Sequence, residues 1–240
     1  MDSNISRQER LADINEELAR RHLKPLRKLG DASKGEIEAV GIKEIYDHSA
    51  RFFTDVKFAV ILANGKPGEF TLRFNANGEV SDGAVIVTLI NGQFAIVKQW
   101  RLPLGQWTYE VPRGFGEKLD KAQIQGALGT LKLGDLPLGT LARELGEEVM
   151  KDAELDSITH LGNIAENSGT SAITPSYFLV QLRADAEKLS ARLQGSEAEI
   201  KAYLWSAERV RDELGGKLCD NHTVTALALA LRHIDRLSRI

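Results

Sequence analysis

The chain has 240 residues, of which 42% are hydrophobic and 27% charged, and its formal net charge is −3. That size supports one large domain, or a domain with a smaller companion, with enough chain to bury a substantial core. The charge balance gives no strong pull toward nucleic acid or an anionic membrane, and the single cysteine, Cys219, excludes an intrachain disulfide and a thiolate-cluster zinc site.

The longest apolar runs, Phe58 to Ala63 and Ala226 to Leu231, are core-sized rather than membrane-sized. The start, Met1-Asp2-Ser3, lacks an apolar signal-peptide core, so a cytoplasmic protein with no membrane or nucleic-acid partner is expected. In chain order, residues 6–28 read as a charged helix with Leu11, Ile14 and Leu18 on one stripe, and Gly30 to Gly35 as a break. Strand signals follow at Val56–Leu62, Phe70–Phe74 and Ala84–Ile90, punctuated by Asn64-Gly65, Asn77-Gly78 and Asn91-Gly92. Asn-Gly between apolar runs is the strongest short hairpin signal, which pairs Ala84–Ile90 with Phe94–Trp100.

After a turn at Arg101–Gly105, a short strand is expected at Trp107–Val111, leading into Pro112-Arg113-Gly114-Phe115-Gly116. Residues 117–134 are rich in Gly, Lys and Leu and carry no clear period. Leu138, Leu141, Ala142, Leu145 and Val149 then recur with helical spacing, predicting a helix from about Leu136 to about Lys151. Later strands are expected at Ile158–Asn163, Tyr177–Leu182 and Ile200–Trp205. Helices are expected at Ala184–Leu193, Ser206–Leu214 and Asp220–Arg239, the last with Asp220 as N-cap. Alternating strand and helix signals point to a mixed sheet covered by helices.

On the helix at 136–151, Glu144, Glu147 and Glu148 share one side, because residues three and four apart are neighbours on a helical surface. Carboxylates packed so closely repel, and a divalent cation is an obvious way to offset the repulsion. The alternative is a solvated face on which Arg143 and Glu147 form an ordinary ion pair.

Arg143-Glu144-Leu145-Gly146-Glu147-Glu148 resembles the core of the Nudix box, and Gly134-Asp135, eight residues before Arg143, resembles the Gly-Glu that opens that family's catalytic helix. Upstream, Glu110-Val111-Pro112-Arg113-Gly114 is similar to the strand-to-loop segment of the ADP-ribose pyrophosphatase branch. Arg101 matches an arginine that this branch carries at a strand end. Trp205, the helix after it, Gly216 and Asp220-Asn221-His222-Thr223 are similar to the branch's C-terminal end. The chain departs from the pattern in three places. An insertion of about fifteen residues separates Gly114 from the catalytic helix, longer than usual connections. Met150 stands where a glycine closes the box, and Ala172 where the branch carries a catalytic glutamate.

The resemblance implies an α/β (α+β) fold, a Nudix-type α/β/α sandwich with a mixed sheet, plus an N-terminal helix and antiparallel strand extension. Residues 1–82 form the extension, with a dimerisation role in a homodimer. Residues 83–240 form the hydrolase domain, with the insertion near 117–133. The implied activity is divalent-metal-dependent hydrolysis of a pyrophosphate bond in a nucleoside diphosphate-linked small molecule, ADP-ribose first and a nucleotide sugar second.

Glu144, Glu147 and Glu148, with the Arg113 carbonyl, are the expected ligands of Mg2+ or Mn2+, hard cations that prefer oxygen. Arg143 orients the glutamates, and Glu166 is the nearest substitute for the general base. Arg101, Glu110, Arg113 and Phe115 are expected at the substrate, the arginines because guanidinium pairs bidentately with phosphate. Trp100, Tyr109 and Phe115 either stack on a base or pack in the core. His160 and His222 are expected to be structural. A Nudix-fold module that binds a nucleotide without cleaving it is the alternative, motivated by the insertion, Met150 and Ala172.

Overall fold

The computed structural model describes residues 6–47, 53–75, 82–114, 153–185, 187 and 201–237. The expected helix at 136–151, the insertion at 117–133, the turn at Asn77-Gly78 and most of the expected helix at 184–193 lie outside them. The chain divides into two compact units, Met1–Asp82 with Ala165–Thr174, and Gly83–Ile164 with Pro175–Ile240.

The first unit opens with α1, Arg7–Arg20. Ser6 caps it by accepting from the Glu9 N–H at 3.2 Å, and the Glu9 carboxylate accepts from the Ser6 N–H at 2.8 Å, a reciprocal capping box. The helix stops well short of the expected Lys28. Leu23 N–H reaches the Leu18 carbonyl and His22 N–H the Ala19 carbonyl, with His22 left-handed at φ 56°, which is a Schellman ending. Leu18 and Leu23 supply its apolar contact, both fully buried, and Pro25 bars a return to helix two residues on. The Asn15 side chain then clamps the returning chain through both the N–H and the carbonyl of Leu26.

Three antiparallel strands follow in the order β1-β2-β3: Glu38–Asp47, Phe53–Ile61 and Pro67–Asn75. Strand β1 has no counterpart in the expected elements. Val40 and Lys43 are extra residues at two register shifts, so apolar and polar positions do not alternate along it. Gly30 sets the approach to β1, since a Cβ there would lie 2.0 Å from the Ile37 carbonyl oxygen. Val56, Phe58 and Val60 of β2 face Ile14 and Leu18 of α1 to form the unit's core. Each such side chain contributes about 1.5–3 kcal/mol when fully buried.

The second unit is built on a mixed sheet in the order β10-β5-β4-β9-β8. Its strands are β4 Ala84–Ile90, β5 Gln93–Arg101, β6 Gln106–Glu110, β7 Arg113–Gly114, β8 Glu154–Asn163, β9 Ser176–Arg183 and β10 Lys201–Trp205. The β4–β9 pair is parallel and the other described pairs are antiparallel, giving the expected mixed α+β organisation. The β4–β5 turn uses Asn91 at φ 50° and Gly92 at φ 80°, as a two-residue hairpin with both central residues at positive φ requires.

Helix α2, Ala207–Glu213, is capped by Ser206, and α3 runs Asn221–Leu237. Asp220 accepts from the Thr223 N–H at 3.0 Å, confirming it as the cap of α3. Val85, Val87 and Leu89 of β4 pack with Ala226, Leu227, Ala230 and Leu231 of α3. Ile86, Thr88 and Ile90 on the opposite face of β4 are also fully buried, as a central strand covered on both sides requires. Among the described residues no helix is long and apolar enough to cross a membrane.

Candidate active site

Strands β4 and β5 pair only beside their turn, through Leu89 with Phe94 and Ile90 with Gln93. Beyond that they part. On the edge it turned to β4, β5 takes β6 from Val97 to Arg101. On the edge it turned to β5, β4 takes β7 at Ala84 and Val85, and Ile86 N–H donates to the Pro112 carbonyl at 2.9 Å. The segment Glu110-Val111-Pro112-Arg113-Gly114 is therefore a wedge between two splayed strands of the same sheet. Val111 and Pro112 are buried within it.

Glu110, at the wedge's leading end, is 1% exposed. An isolated carboxylate at such a depth is costly, and this one is surrounded by donors. Arg101 Nε donates to Oε1 at 2.7 Å, and Arg101 Nη2 to Oε2. Gln99 Nε2 donates to Oε2 at 3.1 Å, and the Thr108 hydroxyl to Oε1 at 2.6 Å. The Arg113 guanidinium completes the set at 3.4 Å and reaches on to Asp220 at 3.3 Å. Both arginine side chains keep about 30% of their surface open to solvent. The second Asp220 oxygen accepts from the Thr223 N–H and hydroxyl, and that hydroxyl in turn accepts from the Val111 N–H at 3.2 Å. The wedge is thus tied to the N-terminus of α3, where the Tyr177 hydroxyl and His222 Nδ1 lie 2.8 Å apart in the core.

The structure brings together three of the expected site residues: Arg101, Glu110 and Arg113. Phe115, Arg143, Glu144, Glu147 and Glu148 lie outside the described residues. Glu166 belongs to the other unit, where its N–H donates to the Ile173 carbonyl and its carboxylate accepts from the Ser171 hydroxyl at 3.2 Å. Sequence reasoning did not single out Gln99 and Thr108. In the β5–β6 register, Gln99 stands directly opposite Thr108, and Val97 opposite Glu110. Side chains two apart share a face, so a polar pair beside a strand-borne glutamate was the available signal.

The same register separates the aromatic residues from this cluster. Trp100 faces Trp107 and Lys98 faces Tyr109, which puts them on the opposite side of the ribbon from Gln99, Arg101, Thr108 and Glu110. Tyr109 packs on Tyr203 and Trp205, so of its two expected roles it takes the core one. Trp100 and Trp107 form an edge-on pair with centroids 5.9 Å apart, both about half exposed. His160 rests on Phe178 with ring centroids 5.2 Å apart, and His222 on Tyr177 at 6.2 Å.

No group of three or more His, Cys, Asp or Glu side chains forms a metal cluster among the described residues. Each Glu110 oxygen already accepts from two or more donors, so the buried acid of the wedge is committed to the protein's own groups, whereas among the described residues Asp220 Oδ1 accepts from Arg113 alone. The carboxylates of Glu144, Glu147 and Glu148, with a backbone carbonyl, are an all-oxygen donor set of the type hard cations take.

No protein-family model matches the chain, and no curated protein matches it. Solved structures do. One, described as the crystal structure of an ADP compounds hydrolase, aligns with a TM-score of 0.55 at 11% identity, covering 83% of this chain and 96% of that one. Likeness at that identity establishes the class of fold: a mixed α/β architecture shared by both chains over most of their length.

Proposed function

We propose that this chain is a Nudix-type hydrolase that cleaves the pyrophosphate bond of a nucleoside diphosphate derivative, ADP-ribose first and a nucleotide sugar second. The observation that carries the reading is the wedge. It holds two arginines, each about 30% exposed, against one buried glutamate, and its segment 110–114 precedes the acidic motif at 143–148 in sequence. The fold shared with an ADP compounds hydrolase supports the same class.

In this reading Arg101 and Arg113 contact the diphosphate, to which their planar forks are suited. Glu110 holds and aims them, because its oxygens are already occupied by Arg101, Gln99, Thr108 and Arg113. Phe115 is the candidate for stacking on the base. Glu144, Glu147 and Glu148, with the Arg113 carbonyl, would hold Mg2+ or Mn2+, and Arg143 orients them. When bound, the ion neutralises diphosphate charge and acidifies water. Glu166 takes the proton of the attacking water as general base. A new P–O bond forms while the bridging P–O bond breaks, its electron pair leaving with the departing phosphate. From ADP-ribose the products are AMP and ribose 5-phosphate. The N-terminal extension, residues 1–82, contributes to a homodimer, which light scattering tests.

The test is release of AMP from ADP-ribose with Mg2+ or Mn2+. Glu148→Gln is expected to lower kcat by about a hundredfold or more, the order of loss when charge stabilisation is removed. Near-normal activity in that variant would sink the metal assignment. A second reading, a nucleotide-binding module without turnover, has one observation in its favour: Ala172 packs against the core of the first unit, so no carboxylate stands at that position. Thermal stabilisation by a nucleotide, with no cleavage across a substrate panel, selects it.

A further inference from the structure

After β8 the chain leaves the second unit at Ala165, and it returns after Thr174. The ten residues between are held to the first unit in two ways. The first is backbone pairing. Arg73 N–H donates to the Thr170 carbonyl and Ala172 N–H to the Arg73 carbonyl, each at 2.8 Å, so Ser171 forms a parallel bridge with Arg73 of β3.

The second is a clasp made by side chains. The Lys24 ammonium, just past α1, donates to the Thr174 hydroxyl at 2.9 Å and to the Ala172 carbonyl at 3.4 Å, and it pairs with Asp82. One oxygen of Asp82 accepts from the Thr174 N–H at 2.9 Å and from its hydroxyl at 2.8 Å. The Asp82 side chain is 9% exposed, so removing the lysine leaves a largely buried carboxylate without its ion-pair partner. Between Ala172 and Thr174 lies Ile173. Its carbonyl accepts from the Glu166 N–H at 3.0 Å, and its N–H donates to the Ser171 hydroxyl, which donates to the Glu166 carboxylate. Every step from the ammonium to the Glu166 carboxylate is a hydrogen bond or a peptide bond.

We propose that Lys24 is a positioning residue: with Asp82 it sets the conformation of the 165–174 loop and, through Ile173 and Ser171, the aim of the Glu166 carboxylate. The effect on turnover rests on the reading of Glu166 as general base, whereas the clasp does not. A residue far upstream of the acidic motif thereby conditions the chemical step without touching substrate. The arrangement predicts a loss confined to kcat, because misaligning a catalytic group by about 1 Å costs up to about a hundredfold in rate.

The test combines amide hydrogen exchange with kinetics on ADP-ribose and Mg2+, comparing the full chain with Lys24→Met, Lys24→Arg and Thr174→Val. Lys24→Met is expected to speed exchange at residues 171–174 by about tenfold, with β4 and α3 unaffected. Its kcat falls by about tenfold at a KM within about twofold, and Lys24→Arg restores most of the loss. Thr174→Val, which leaves the ion pair intact, moves both readouts the same way by less. Lys24→Met combined with Glu166→Gln is no slower than Glu166→Gln alone. Unchanged exchange at 171–174 overturns the clasp. Faster exchange with unchanged kcat, or additive losses in the double variant, overturns the link to Glu166. An intact chain with no turnover on any nucleoside diphosphate derivative instead rejects the hydrolase reading, and the exchange data still decide the clasp.

Discussion

Arg101 meets Glu110 with two guanidinium nitrogens on two carboxylate oxygens, whereas Arg113 meets the same carboxylate through a single contact at 3.4 Å. The two arginines are equally exposed, so the difference between them is geometric. Removing one partner of a buried pair leaves the other charge uncompensated, at a cost of about 3–5 kcal/mol. Arg113 also reaches Asp220 at 3.3 Å, but each of these long contacts, on a partly open side chain, costs about 1 kcal/mol or less when lost. Arg101→Met is therefore expected to lower the urea midpoint well beyond Arg113→Met. Equal losses would show that Glu110 does not depend on the bidentate partner.

Trp100 and Trp107 test whether the two faces of the β5–β6 ribbon act separately. The arginine–glutamate cluster lies on one face and the tryptophan pair on the other. Trp100→Ala is expected to leave KM for a nucleoside diphosphate substrate within about twofold, since uniform binding is lost only where contact is lost. Arg101→Lys keeps the charge but not the fork, and should raise KM by about tenfold. A rise in KM from Trp100→Ala equal to that from Arg101→Lys would mean that the base crosses to the aromatic face.

Much of this arrangement could be read from local chemistry. Asn91-Gly92 marked the β4–β5 turn because both of its residues sit at positive φ, which that dipeptide tolerates best. Asp220 was recognisable as a cap because the interaction spans only three residues. The illegible parts are those set at long range or by irregularity. Strand β1 hides behind the extra residues Val40 and Lys43, which break the period of two. The end of α1 depends on His22 taking a left-handed conformation that glycine more often supplies. Glu110 read as a substrate contact because its burial comes from splayed strands. Its link to Asp220 passes through Arg113, and Arg113 and Asp220 are 107 residues apart in sequence. The acidic motif at 143–148 was the clearest signal in the sequence, and its residues lie outside those the structure describes.

Arg7 gives a prediction about acid. Its Nη1 lies 2.9 Å from Asp31, and its Nη2 donates to Glu38 at 2.6 Å. Hydrogen bonding to Arg7 is the largest cause holding the Asp31 carboxyl well below the usual carboxylate range, aided by Ser33, and the largest cause lowering Glu38. Unfolded, these groups titrate near about 3.9 and about 4.3. A carboxylate depressed in the folded state contributes stability that is fully present above its unfolded value and is lost as pH falls through its folded value. Stabilisation by Arg7 is therefore complete at neutral pH and declines below about pH 4. Arg7→Met should shift the urea midpoint more at pH 7 than at pH 3. Because the Arg7 side chain is half exposed, added salt should narrow the pH 7 difference. An equal shift at both pH values would mean that Arg7 stabilises the first unit through packing of its alkyl stem rather than through its two carboxylates.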